Sequence, residues 1–224
     1  MHNFFIIIFL SLLPSFIWFY FFSREDLHPE PAKKVLLTFL FGIFFSFFAF
    51  FLENHLQKIV YLNFVSNLII LGIAIIEEGI KFLAAFLANE KSKDFDEPMD
   101  AMIYMISAAL GFAAVENFFI ITNEFYSTSS DFFGILNILS LRFVGATLLH
   151  VLSSAILGYY WALSHFAGRK KLFFLGFLFA ILIHFIFNVL VIQFGYSNIF
   201  YNTLILIFIA FLVFVDFEKL KKQN

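Results

Sequence analysis

The sequence predicts an all-α fold, a polytopic membrane protein built as a bundle of about seven transmembrane helices in a single domain over residues 1–224. Three observations lead there. Of 224 residues, 62% are hydrophobic, 22% aromatic and only 13% charged, with a mean hydropathy of +0.94. A soluble core of this size could not hide that much apolar surface, so the solvent must be a bilayer. The apolar residues are gathered into seven runs near the roughly 20 residues that a spanning helix needs. Lysine and arginine fall in alternate breaks between those runs.

The first run, Asn3 to Phe22, lacks the basic start and small-residue cleavage site of a secretory leader. Its apolar stretch is also about twice the usual length, so it reads as a retained helix with a kink near Pro14. Val35 to Leu52 follows the charged, proline-bearing break "SREDLHPEPAKK", and Leu68 to Ala88 follows "ENHLQKIVYLN". Ala101 to Thr122 comes after "NEKSKDFDEPMD", with Asp100 placed to cap it. Leu139 to Ser164 follows "NEFYSTSSDFFG", Leu172 to Phe194 follows "AGRKK", and Ile199 to Val215 follows "GYSN". The last run has no interior charge and reads as packing. No break leaves room for a separate soluble domain.

Arg24, Lys33, Lys34, Lys91, Lys93, Arg169, Lys170, Lys171, Lys219, Lys221 and Lys222 all fall on one side of such a bundle, against Lys58 on the other. That asymmetry predicts an amino terminus outside and a carboxyl terminus in the cytoplasm of a multi-pass protein of the cell membrane. The net charge of −2 and the absence of any block of like charge exclude a nucleic-acid surface. The absence of cysteine excludes disulfides, thiolate metal sites and a cysteine nucleophile.

Against this background "IIEEGIKF", Ile75 to Phe82, stands out. A charge at the centre of a spanning helix costs about 2.5–3.5 kcal/mol, so Glu77, Glu78, Lys81 and Glu116, bare and ionised, would cost on the order of 12 kcal/mol. They must be paired, protonated or wetted. Lys81 lies four residues from Glu77 and three from Glu78, so it can neutralise one of them. One carboxylate on the third run and Glu116 on the fourth remain, able to hold a proton between them, as a general acid or base must.

Counted at 1.5 Å per residue from the outer ends of their runs, Glu77, Glu116, His150 and His184 lie roughly 14, 8, 16 and 12 Å deep, one layer within boundary error. Ala109, Gly111 and Ala113 leave room beside Glu116 for a backbone or a substrate, and Thr147, Ser153, Ser154 and Gly158 make a small, polar strip around His150. His184 and Asn188 are one turn apart and can donate toward one point. Arg142, near the outer end of the fifth run, reads as interface snorkelling or a partner for Glu124 or Asp131. Three chemistries suit these residues: acid–base hydrolysis, a zinc-like divalent site that activates water, and a transporter's proton relay. No HExxH helix accompanies the second, no inverted repeat the third, and no strained elbow motif marks Ser153 or Ser154 as a nucleophile.

"EEGIK", "DAMIYMISAALGFAAVEN", "RFVGATLLHVLSSAILG" and "HFIFN" together resemble the successive blocks of the PrsW family of intramembrane proteases, over roughly 110 residues in the family's order. That family resembles the CAAX prenyl endopeptidases, whose EExxxR, FxxxH and HxxxN blocks correspond here to Glu77-Glu78 with Lys81, Phe112 with Glu116, and His184 with Asn188. Glu116 stands where the CAAX group has histidine. The resemblance implies a catalytic core over residues 64–194 and a glutamic-type endopeptidase, with a membrane-spanning or membrane-associated protein as substrate. It also implies a place in regulated proteolysis, such as release of an anti-sigma factor. In that reading Glu77 or Glu78 is the base, and His150 or Glu116 orients the water. His184 and Asn188 would stabilise the oxyanion, with Lys81, Asn117 and Ser154 in support. No cofactor is expected, and a divalent metal such as zinc is the alternative.

Overall fold

A bilayer offers backbone amides no partner but one another, so each apolar run closes its own hydrogen bonds as a helix. The computed structural model describes residues 2–59, 66–127, 132–194 and 199–222, and among them all regular structure is helical. In chain order these are α1 (His2–Ser23), α2 (Ala32–Ile59), α3 (Ser66–Asn89), α4 (Pro98–Ser127), α5 (Phe132–Arg142), a π-helical turn (Phe143–Thr147), α6 (Leu148–His165), α7 (Lys170–Phe194) and α8 (Ile199–Lys221). The α5 helix, the π turn and α6 are contiguous and form the fifth run. By length and composition α1, α2, α4, α5–α6 and α7 can each cross a membrane. Two helices are not among these five, α3, which carries Glu77, Glu78 and Lys81, and α8.

Several helices extend beyond the expected runs, α4 to Ser127 and α8 to Lys221 among them, and two of the differences are the largest. The second helix continues seven residues past Leu52, through Ile59. Glu53, Leu56, Gln57 and Lys58 are sound helix formers with no Gly or Pro to stop them, so Glu53 belongs to a helix and not to a loop. The fifth run begins earlier than Leu139, because α5 starts at Phe132.

The α4 helix is the axis of the bundle, packed against α6, α2, α1 and α3. Its small residues let neighbouring backbones touch it directly. A Cβ at Gly111 would lie 2.0 Å from the carbonyl oxygen of Phe39, and one at Gly42 would lie 2.1 Å from that of Ala108. The face of Gly111 that the sequence left open is therefore taken by α2. On α6, Gly158 does the same against Met102 and Ala101. Replacing Gly111 with valine must push α2 off α4. Overpacking of this kind costs about 1–3 kcal/mol or more, and thermal unfolding of the detergent-solubilised protein should show a lowered midpoint.

The cation-rich breaks meet at one end of the bundle. Lys34 Nζ donates to the carbonyl of Ala88 at 2.9 Å, and Lys221 pairs with Glu25 at 2.7 Å. Glu30 accepts a hydrogen bond from Tyr104, and burial next to Asp100 pushes its carboxyl up to about 8. Asp100 is not the cap expected at the start of its run: α4 begins at Pro98, and from inside the first turn Asp100 reaches back to accept from the backbone N–H groups of Asp96 and Glu97 at 2.9 and 2.7 Å.

Candidate active site

The apolar run of α3 is interrupted on one face, and that face turns inward. Glu77, Glu78 and Lys81 are all buried, the last two completely. Lys81 Nζ donates to Glu78 Oε1 at 2.5 Å, so the lysine takes the glutamate three residues away and leaves Glu77 without it. Two more donors reach the same oxygen, Ser153 Oγ from α6 at 3.0 Å and His184 Nδ1 from α7 at 2.7 Å. Glu78 thus ties three helices together.

The histidine tautomers follow from their partners. The Lys81 ammonium can only donate, and it lies 3.1 Å from His150 Nδ1, so that nitrogen carries a lone pair. His150 Nε2–H then donates to Glu116 Oε2 at 2.9 Å. His184, donating from Nδ1 to Glu78, likewise keeps its lone pair on Nε2. Glu77 Oε2 lies 3.8 Å from His150 Nδ1 and 3.6 Å from His184 Nε2, and no hydrogen bond reaches it. These separations are too long for direct hydrogen bonds, and the donor found among the three atoms is Lys81 Nζ, at His150 Nδ1.

Charge leads to the same point. By formal count Glu77, Glu78 and Glu116 outnumber Lys81 and Arg142 by one, and Glu77 is the carboxyl group that neither cation pairs with. An unpaired carboxylate oxygen in a dry interior costs several kcal/mol.

Arg142 corrects the sequence reading. It is not at the interface but buried, donating from Nη2 to Glu116 Oε2 at 2.9 Å and from Nε to Asn117 Oδ1. Of its two expected partners, Asp131 lies outside the described residues. In an unbroken α-helix Arg142 would stand about 80° around from His150. The π turn between them closes its hydrogen bonds one residue later. That takes up most of the angle, so both side chains reach Glu116. Asn117 in turn donates to Thr147 Oγ1 and the carbonyl of Ser11, which holds the arginine's anchor in place.

The family model described as "PrsW family intramembrane metalloprotease" matches residues 30–215. The chain belongs to the PrsW family of intramembrane proteases. A curated relative named protease PrsW from Clostridioides difficile is 30% identical over 222 residues, covering 95% of this chain and 89% of its own. Another of that name, from Oceanobacillus iheyensis, is 26% identical over 218 residues, 96% of this chain and 94% of the relative. A third, from Geobacillus kaustophilus, is 28% identical over 156 residues, 70% and 65% of the two chains. No solved structure matches.

In this PrsW-family chain, then, Glu77, Glu78, Lys81, Glu116, His150 and His184 form one connected cluster drawn from α3, α4, α6 and α7. Asn188 is half-buried one turn beyond His184 and makes no hydrogen bond to the cluster among the described residues. Ser153, not Ser154, touches Glu78, while the Ser154 hydroxyl is buried without a partner. Arg142 and Ser153 were the contributors least visible in sequence. Arg142 lies beyond a π turn that no periodicity reveals, and Ser153 and Ser154 fit the helical spacing from His150 equally well. Beside the cluster is a cavity of about 250 Å³ between α2 and α4, lined by Glu116 and Phe112 among others. Phe112 packs against the His150 ring, with centroids 5.8 Å apart.

Proposed function

We propose that this protein hydrolyses a peptide bond of a membrane-spanning protein, with Glu77, His150 and His184 holding a divalent ion and Glu116 handling the proton. The observation that carries the reading is that Glu77, His150 and His184 each bring one potential ligand atom to within 4.8 Å of the others. Nitrogen and oxygen ligands at about 2.0–2.2 Å from a tetrahedral ion stand roughly 3.4 Å apart, close to the 3.6 and 3.8 Å found here. Both imidazoles also carry a carboxylate on the far nitrogen, the outer support that orients ligating histidines. Held by these residues, such an ion would supply Lewis-acid activation of water and of the scissile carbonyl.

The chain's own residues do the rest. Glu116, with 27% of its side chain exposed, is the one carboxylate of the cluster that is not buried. It takes a proton from the attacking water while the hydroxyl adds to the carbonyl carbon. When the C–N bond breaks, Glu116 returns that proton to the leaving amine. Arg142 and His150 hold it in place throughout. Lys81 and Glu78 orient the two imidazoles, and Lys81 gives up its contact with His150 Nδ1 when the site is loaded. The Asn188 amide is the expected additional donor to the oxyanion. The cationic breaks support an amino terminus outside the cell membrane, and the proposed substrate is a single-pass protein cut as a step of regulated proteolysis, such as an anti-sigma factor.

The glutamic-type reading uses the same atoms, with Glu77 itself as the base and a water among the three lone pairs. Metal content separates the two. Purified protein is expected to hold about one divalent ion per chain, to lose it with its cleavage activity in a strong chelator, and to regain both on re-addition. Glu77→Gln and His184→Ala should purify without the ion. Full activity in metal-free protein would overturn the metal reading in favour of the glutamic one.

A further inference from the structure

The cavity between α2 and α4 contains a second carboxylate that the proposed chemistry does not use. Glu53, three residues beyond Phe50 on α2, lines it opposite Glu116. Glu116 is neutralised by Arg142, whereas Glu53 has no hydrogen bond or ion pair among the described residues. Lys81, whose charge acts on Glu53, is buried and already committed to Glu78 and His150. A half-buried carboxylate at membrane depth is expensive unless something positive meets it.

The walls of the cavity are aromatic. Phe50 and Phe119 stack with centroids 5.1 Å apart at its rim, each partly exposed on the lipid-facing surface, and Phe112 separates its floor from His150. At about 250 Å³ it is smaller than the roughly 300–1,000 Å³ of pockets that enclose whole small molecules. It is of a size for one side chain, and it ends at the proposed general base.

We infer that this cavity is a subsite for the residue flanking the scissile bond and that Glu53 selects lysine or arginine there. The inference rests on the protease reading above and deepens it. A long cationic side chain suits both halves of the cavity: its methylene stem lies along Phe50, Phe112 and Phe119, and its charge meets Glu53 beside aromatic faces. Seating it places the adjacent peptide bond next to Glu116. A neutral or acidic side chain would leave Glu53 unpaired, so discrimination comes from the penalty on the wrong residue as much as from the gain on the right one.

The test is a mixture of synthetic single-span peptides in detergent, carrying Lys, Arg, Gln, Leu or Glu at successive positions, digested by the full-length protein. Cut sites are read by mass spectrometry against a Glu77→Gln control. Wild type should enrich Lys or Arg at one fixed position about tenfold. In Glu53→Gln that enrichment should vanish, and in Glu53→Lys it should shift toward Glu. Cleavage with no cationic preference, or a preference that Glu53→Gln leaves intact, overturns the subsite while leaving the protease reading in place. No cleavage above the control overturns the protease reading, and the subsite with it.

Discussion

Glu77→Gln is expected to abolish cleavage, by at least the ~10²–10⁴-fold that a positioned acid–base group supplies, while the protein still inserts at normal levels. The amide is nearly isosteric, but it alters the carboxyl group whose Oε2 lies 3.8 Å from His150 Nδ1 and 3.6 Å from His184 Nε2. It also removes the excess negative charge of the cluster, so neither an ion nor an activated water would be held as before. Comparing membrane proteomes with and without the variant checks this directly. The single-pass protein clipped by wild type should accumulate at full length, with membrane levels of the variant confirmed by immunoblot. Normal processing by a normally abundant Glu77→Gln protein would remove Glu77 from the chemistry and leave the cluster as a structural lock.

The second large effect falls on stability. Lys81 and Glu78 both have 0% side-chain exposure and lie 2.5 Å apart. Lys81→Met should therefore strand a buried carboxylate, and breaking a buried pair from one side typically costs about 3–5 kcal/mol. The expected result is a much lower unfolding midpoint in detergent and poor accumulation in membranes. Glu78→Gln added to Lys81→Met should recover most of that loss, because the pair is then absent and not broken. Equal stability of wild type and Lys81→Met would mean that the ion pair does not hold the bundle. Catalysis should not return with stability in the double variant, since Glu78 and Lys81 also orient His184 and His150.

Several elements of the site were legible because lipid punishes misplaced charge. Glu77, Glu78, Lys81 and Glu116 could not stand in spanning helices without partners, and a helix's fixed rise put His150 and His184 at their depth. The seven runs were equally plain, since each had to be apolar for its whole length. Arg142 was misjudged for a local reason. Near the end of an apolar run a lone arginine usually snorkels to the interface, and the π turn that swings it inward has no signature in "RFVGATLL". Glu53 was assigned to a loop because hydropathy falls after Leu52, although helix propensity does not.

The sequence by itself determined the solvent, the number of apolar runs, the end at which the cationic breaks gather and six of the polar side chains that meet, Glu77, Glu78, Lys81, Glu116, His150 and His184. These follow from composition, length and spacing along one chain. Which glutamate Lys81 takes was decided only in the tertiary structure. Positions three and four residues back are both within reach on an isolated helix, and the choice falls to Glu78 because Ser153 and His184 arrive from two other helices to share its oxygen. That leaves Glu77 Oε2 without a hydrogen bond, between His150 and His184. The distinction between the paired and the unpaired glutamate exists only once α3, α6 and α7 are packed, because it depends on donors far apart in sequence.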